Sequence, residues 1–149
     1  ETLIPDFKGE FENIDRIIDV APEVVSHNLE TVRRLTREVR IQAKYDRSLE
    51  VLKYLKDNGI SRTKSGIMLG LGENRDEVIE TMQDLRNVGV NIVTLGQYLQ
   101  PSKKHLPVAD FITPEEFKEF EIIGKQMGFR HVESGPLVRS SYKAHKHIH

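Results

Sequence analysis

The chain has 149 residues, of which 38% are hydrophobic and 30% charged, a composition typical of one globular domain. Lys and Arg number 22 against 23 for Asp and Glu, so the charge balance predicts neither nucleic acid nor an anionic membrane as a partner. No run of about 20 apolar residues and no signal peptide is visible. Cysteine is absent, which excludes disulfides and thiolate metal sites within this chain. We take the cytoplasm as the default compartment.

Strand-like and helix-like segments alternate along the chain, which predicts an α/β fold with a parallel sheet. The first half is expected to contain a strand at 2–4, a helix at 11–19, a strand at 23–27, a charged and interrupted helix within 29–40, and a helix from an Asp46 cap to Gly59. The second half is expected to contain a strand at 63–69, a helix capped by Asn74 and Glu77, a strand at 90–98, a helix starting at Thr113 and Pro114, and a strand at 129–133.

The length of the chain and its first residue both indicate a fragment of a larger fold. The chain starts at Glu1 rather than Met, with a strand already in progress, and we expect it to begin in the middle of a fold. Four or five strands also fall short of the eight in a complete (β/α)8 barrel of roughly 250 residues. In such folds functional residues lie at the carboxyl ends of strands, so those ends are where chemistry is expected.

Asn28 and Glu30 follow the second predicted strand. Two residues apart, an amide and a carboxylate lie on the same side of an extended segment, where they can bind a vicinal diol such as a ribose. The alternative is a helix N-terminus, with Asn28 as the cap and Glu30 favoured by the helix dipole. These residues taken alone favour the alternative.

Two loops and one arginine are further candidates. Residues 65–73 form a glycine-rich turn in which a ligand or another backbone can approach closely, although neither the dinucleotide fingerprint nor the phosphate-binding lysine motif is present. Residues 96–105 crowd two glutamines, a tyrosine and three basic residues, either to meet a carboxylate or phosphate or as a solvated loop. Arg47 sits unfavourably in the first turn of a helix, which suggests a carboxylate partner, although a surface arginine is commoner.

Taken together and in order, five segments resemble the lipoyl synthase family of radical S-adenosylmethionine enzymes over nearly the whole chain. They are Ser-His-Asn-Leu-Glu-Thr at 26–31, Tyr-Asp-Arg-Ser-Leu-Glu at 45–50, residues 63–73, Leu-Gly-Gln-Tyr-Leu-Gln-Pro-Ser at 95–102, and Gly-Pro-Leu-Val-Arg-Ser-Ser-Tyr at 135–142. The resemblance implies the carboxyl-terminal half of a partial (β/α)6 TIM-like barrel. Residues 1–133 would be the second half of that barrel, and residues 134–149 a tail that caps a cluster.

The resemblance also implies an activity, cofactors and a partner. Members of the family use S-adenosylmethionine and two [4Fe-4S] clusters to insert sulfur at carbons 6 and 8 of an octanoyl group on a lipoyl carrier domain. A 5′-deoxyadenosyl radical removes the hydrogens, and the auxiliary cluster is the sulfur donor. Both cysteine triplets of the family would belong to a missing amino-terminal half, so the fragment alone is expected to be inactive.

Matched position by position, the resemblance assigns Asn28 and Glu30 to the ribose hydroxyls of S-adenosylmethionine and Arg47 to its methionyl carboxylate. It assigns to the adenine side Gly66, Met68, Gly70, Glu73, Gln97, Leu99 and Gln100. It makes Ser140 the ligand of the auxiliary cluster, with Ser141 as the runner-up. Two alternatives stay open: a non-catalytic α/β module that binds a nucleoside or a carrier protein, and another radical enzyme of the biotin synthase branch.

Overall fold

A computed structural model describes residues 1–40 and 44–139, which form a five-stranded sheet covered by helices. The strands lie in chain order: β1 Thr2–Leu3, β2 Val24–Ser26, β3 Arg62–Leu69, β4 Ile92–Gln97 and β5 His131–Gly135. Every neighbouring pair is parallel. Sequential parallel strands are the arrangement of consecutive β/α units in a TIM-like barrel, so the predicted fold class is confirmed.

Within the described residues, five α-helices connect or follow these strands: α1 Phe11–Val20, α2 Thr36–Val39, α3 Tyr45–Asp57, α4 Arg75–Asn87 and α5 Pro114–Met127. The two strongest predicted helix starts are confirmed. At α4 the Asn74 side chain accepts from the Glu77 N–H, and the Glu77 carboxylate accepts from the Asn74 N–H. None of the helices in the described parts of the chain is both long enough and apolar enough to cross a membrane.

The predicted start of α3 is wrong, because the helix cap lies two residues before the predicted one. The helix begins at Tyr45, with Lys44 as its cap, and Asp46 lies inside the first turn. Tyr45 is buried and its hydroxyl donates to Asp84 on α4 at 2.7 Å, so packing between the helices draws Tyr45 into α3. The Asp46 carboxylate instead accepts from the Arg33 guanidinium at 2.7 Å.

The last strand is also displaced from its predicted position. It spans His131–Gly135 rather than residues 129–133, because pairing with β4 runs from Ile92 opposite His131 to Gly96 opposite Gly135. Phe129, placed in the strand by its apolar character, packs into the core just before it. The charged segment 29–40 is interrupted as expected, since only Thr36–Val39 of it is α-helical.

The two faces of the sheet differ in composition. The outer face packs against α3, α4 and α5 in the main core, which includes Ile67, Leu69, Val93 and Leu95. Neighbouring strands in register present the same face. Opposite Gly66 lies Thr94, and opposite Met68 lies Gly96, so three of these four positions on the inner face of β3 and β4 carry small residues. This pattern leaves room for a cavity at the carboxyl ends of the strands.

Candidate functional site

A cavity of about 270 Å³ opens over the inner face of the sheet, at the carboxyl ends of β3 and β4. It is lined by Asn28, Glu30, Gly66, Met68, Gln97 and Leu99 of the predicted site, together with Ile67, Thr94, Gly96, Val138 and Arg139. Ligand pockets typically occupy roughly 300–1,000 Å³, so the described residues enclose space for part of a small organic ligand. The fold therefore brings most of the predicted cofactor-binding residues to one place.

Hydrogen bonds to β3 fix the segment that carries the amide and the carboxylate. The Gly66 N–H donates to Asn28 Oδ1 at 3.1 Å, the Glu30 N–H donates to the Gly66 carbonyl at 3.0 Å, and the Met68 N–H donates to the Glu30 carbonyl at 2.8 Å. The alternative of a helix N-terminus is therefore wrong, because Asn28 Oδ1 accepts from the middle of β3 and the next helical turn begins only at Arg33. Glu30 has a φ of +71°, in the left-handed region that few residues other than glycine adopt.

The Glu30 carboxyl lies in a mostly buried environment. Burial raises its pKa above the ordinary value, while the positive charge of Arg40 and a hydrogen bond from Asn28 act in the opposite direction. A carboxylate offers about four acceptor positions, so the bond from Asn28 leaves capacity for the hydroxyl groups of a ligand. The arrangement suits recognition of neighbouring hydroxyls.

Glycines at this site bring parts of the protein itself close together. A Cβ atom on Gly66 would lie 2.5 Å from Thr94 Oγ1 and 3.2 Å from Asn28 Oδ1. A Cβ atom on Gly96 would overlap the Val138 carbonyl oxygen. Val138 belongs to the segment after β5, which crosses the cavity at this point. Here the close approach that a glycine permits is made by neighbouring residues of the protein.

Three other predicted residues lie outside the cavity and hold turns. The Glu73 carboxylate accepts from the N–H groups of Gly70 and Leu71, all at 3.0 Å, and closes the turn between β3 and α4. Gly70 itself has a φ of +101°. The Gln100 side chain donates to the His105 carbonyl at 2.9 Å within the exposed basic loop.

Arg47 is separated from the cavity by Arg40. It lines a groove with Asp6, Lys8 and Lys44, and Arg40 borders both this groove and the depression beside Asn28 and Glu30. The predicted cluster ligand Ser140 and its runner-up Ser141 lie outside the described residues.

Sequence reasoning missed three polar contributors to the site: Thr94, Arg139 and Arg40. Thr94 precedes Gly96 by two residues on β4, so strand alternation could have placed it on the inner face. Arg139 reaches the cavity because the chain after β5 turns back over it. Arg40 ends a short helix, and no local pattern connects it to Glu30.

The donor set does not fit an iron–sulfur cluster. Iron–sulfur clusters are held by cysteine thiolates, and the chain contains no cysteine. In the residues that the structure describes, no three His, Asp or Glu side chains converge on a possible metal position. The Asn28 amide and the Glu30 carboxylate do fit the hydroxyl groups of a nucleoside. The chemistry of the described residues therefore suits the hydroxyl groups of an organic ligand and does not suit an iron–sulfur cluster.

Known proteins that resemble this chain include a superfamily of enzymes and several lipoyl synthases. The family model described as the Radical SAM superfamily matches residues 2–85. The chain is 76% identical over 148 residues to the lipoyl synthase of Christiangramia forsetii, covering 99% of the chain and 50% of that protein. It is 73% identical over 149 residues to the mitochondrial lipoyl synthase of Nematostella vectensis, covering 100% of the chain and 51% of that protein. The chain spans about half the length of these relatives.

A distant solved structure shares the fold. The HMG-CoA lyase of Bacillus subtilis superposes with a TM-score of 0.54 at 12% sequence identity, over 88% of this chain and 51% of that one. At this identity the likeness concerns the architecture alone, and it supports a partial TIM-like barrel.

Proposed function

Because the chain belongs to the radical SAM superfamily and resembles lipoyl synthases at 76% identity, we propose that it is the nucleoside-binding, carboxyl-terminal half of a lipoyl synthase. The whole protein would insert two sulfur atoms, at carbons 6 and 8, into an octanoyl group on a lipoyl carrier domain. When bound, S-adenosylmethionine supplies the 5′-deoxyadenosyl group whose radical removes hydrogen from the octanoyl chain. The residues of this chain bind and orient the nucleoside part of that cofactor.

The observation that carries this proposal is the cavity over β3 and β4 with an amide and a carboxylate at its edge. Gly66 holds the Asn28 carbonyl, so the amide N–H groups of Asn28 point away from the strand toward Glu30 and a ligand. The Glu30 carboxylate would accept hydrogen bonds from the ribose hydroxyls. Met68 and Leu99 would contribute apolar contact on the adenine side.

The remaining parts of the assignment extend beyond the described residues. The two [4Fe-4S] clusters would depend on cysteines of an amino-terminal half, so this chain expressed alone would not catalyse sulfur insertion. Ser140, with Ser141 as the runner-up, stays our proposed ligand of the auxiliary cluster. Residues 134–149 stay a proposed capping tail, although β5 runs through this boundary to Gly135. We keep the cytoplasm as the proposed location.

Calorimetry of S-adenosylmethionine binding to the protein expressed from its complete gene tests the ribose site. Asn28→Ala and Glu30→Ala should each weaken binding by about tenfold or more, the equivalent of a hydrogen bond to a charged or buried group. Glu23→Ala removes an exposed carboxylate just before β2 and serves as the control. Unchanged affinity in both cavity variants would remove the proposal. A complete gene without cysteine triplets would favour a non-catalytic binding module instead.

A further inference from the structure

We propose that Arg40 is a positioning residue for the nucleoside cavity: it holds the peptide that joins Leu29 to Glu30 and places a positive charge beside the Glu30 carboxylate. The inference rests on the proposed function and deepens it. Arg40 follows α2 as its final cap and is half-buried, at a point where it borders the depression lined by Asn28 and Glu30.

A buried chain of hydrogen bonds anchors the Arg40 guanidinium. Its Nη1 donates to the Ser48 hydroxyl at 3.1 Å, and Ser48 Oγ lies 2.9 Å from His27 Nε2. His27 Nδ1 lies 3.0 Å from the Ile4 carbonyl. A carbonyl only accepts, so Nδ1 carries the proton and Nε2 accepts from the serine hydroxyl. The bonds therefore run in one direction, from Arg40 through Ser48 and His27 to the Ile4 carbonyl.

The same Nη1 also donates to the Leu29 carbonyl at 3.1 Å. That carbonyl belongs to the peptide plane whose N–H, on Glu30, donates to the Gly66 carbonyl at 3.0 Å. The plane is thus held from both sides, by Arg40 and by β3. Since φ of Glu30 describes rotation about the bond leaving this plane, the two contacts hold its left-handed value of +71°. That conformation directs the Glu30 side chain at the cavity.

The Arg40 guanidinium also places a positive charge close to the Glu30 carboxylate, where it favours the ionised form. Burial raises the pKa of Glu30, and the positive charge of Arg40 counteracts this effect. Around Arg40 lie Asp6, from the turn after β1, and His27, whose pKa burial lowers. Arg139 lines the cavity from the chain after β5. Neutralising Arg40 should therefore raise the pKa of Glu30 further, so that the carboxylate protonates at a higher pH.

The test is calorimetry of S-adenosylmethionine binding to the protein from its complete gene. Arg40→Gln removes the charge, Arg40→Lys keeps it, and Arg37→Gln, on the exposed face of α2, is the matched control. We expect Arg40→Gln to bind about tenfold more weakly at neutral pH, with little further loss when Glu30→Gln is already present. The loss of affinity on acidification should begin at higher pH in Arg40→Gln than in Arg40→Lys and the control.

The outcomes separate this inference from the proposed function. If Glu30→Gln alone leaves affinity unchanged, the proposed function fails. If Glu30→Gln weakens binding but Arg40→Gln does not, or Arg40→Gln weakens it equally in both backgrounds, Arg40 does not act through Glu30 and the inference is overturned. Thermal unfolding of each variant identifies a general loss of structure. If Arg40→Gln is unfolded, Arg40→Lys provides the test. Weaker binding of S-adenosylmethionine by Arg40→Lys than by Arg37→Gln, with the acid loss of affinity at the same pH in both, supports positioning through the Leu29 carbonyl. Equal affinity of these two variants overturns it.

Discussion

A single methyl group added at Gly66 measures how closely β3, β4 and the Asn28 segment approach. The new Cβ of Gly66→Ala would lie 2.5 Å from Thr94 Oγ1 and 3.2 Å from Asn28 Oδ1, against 3.4–4 Å for ordinary contact. Thr94 is buried on β4, and Asn28 Oδ1 accepts the Gly66 N–H, so neither atom has free space. Overpacking costs about 1–3 kcal/mol and a strained hydrogen bond about 1 kcal/mol more, so we expect a loss of about 2–4 kcal/mol in unfolding free energy.

Urea denaturation of the chain provides the measurement, and Gly135→Ala is the matched control. Gly135 also lies on a strand of the inner face, but a Cβ there would meet only Val138 Cγ2 at 3.6 Å. Removing Thr94 Oγ1, together with the γ-methyl group, in Gly66→Ala/Thr94→Ala should restore part of the loss, because the two changes share one contact. Equal stability of Gly66→Ala and Gly135→Ala, within about 0.5 kcal/mol, would refute the close approach on which the site geometry depends.

Two further variants probe the turn after β3 and the buried histidine. Glu73→Ala leaves the N–H groups of Gly70 and Leu71 without their acceptor, and denaturation should show a loss of about 2–3 kcal/mol. Weaker nucleoside binding at unchanged stability would instead place this carboxylate on the ligand. Burial lowers the pKa of His27 below 6.5, so below that pH the unfolded chain binds a proton that the folded chain does not. Stability should therefore fall on acidification by at most about 1.4 kcal/mol per pH unit. His27→Gln should flatten this slope, and an unchanged slope in that variant would contradict the effect of burial on His27.

Local interactions made several elements predictable. Asn74 and Glu77 satisfy each other's backbone N–H groups within one turn, and at α5 the Thr113 hydroxyl accepts from the Glu116 N–H with Pro114 in the first turn. Such contacts span three residues, so the pattern itself contains the donor, the acceptor and their spacing. Asp46 is equally well suited to cap a helix, yet with Tyr45 buried the cap of α3 lies two residues earlier, at Lys44. A cap worth about 1 kcal/mol yields to the larger free energy of burying an aromatic side chain.

Some features of the candidate site could also be predicted from the sequence, and others could not. Asn28 and Glu30, two residues apart after a strand, allowed either a diol site or a helix N-terminus, and the resemblance of five segments to a family favoured the diol site. The sequence also determined the α/β class and the absence of thiolate ligands. Only the tertiary structure decided that Glu73 closes a turn, that Arg40 holds the peptide before Glu30, and which face of β4 meets the cavity. Sequence patterns report interactions within a few residues, whereas those contacts depend on strand register and on the paths of loops, which follow from the packing of the whole sheet.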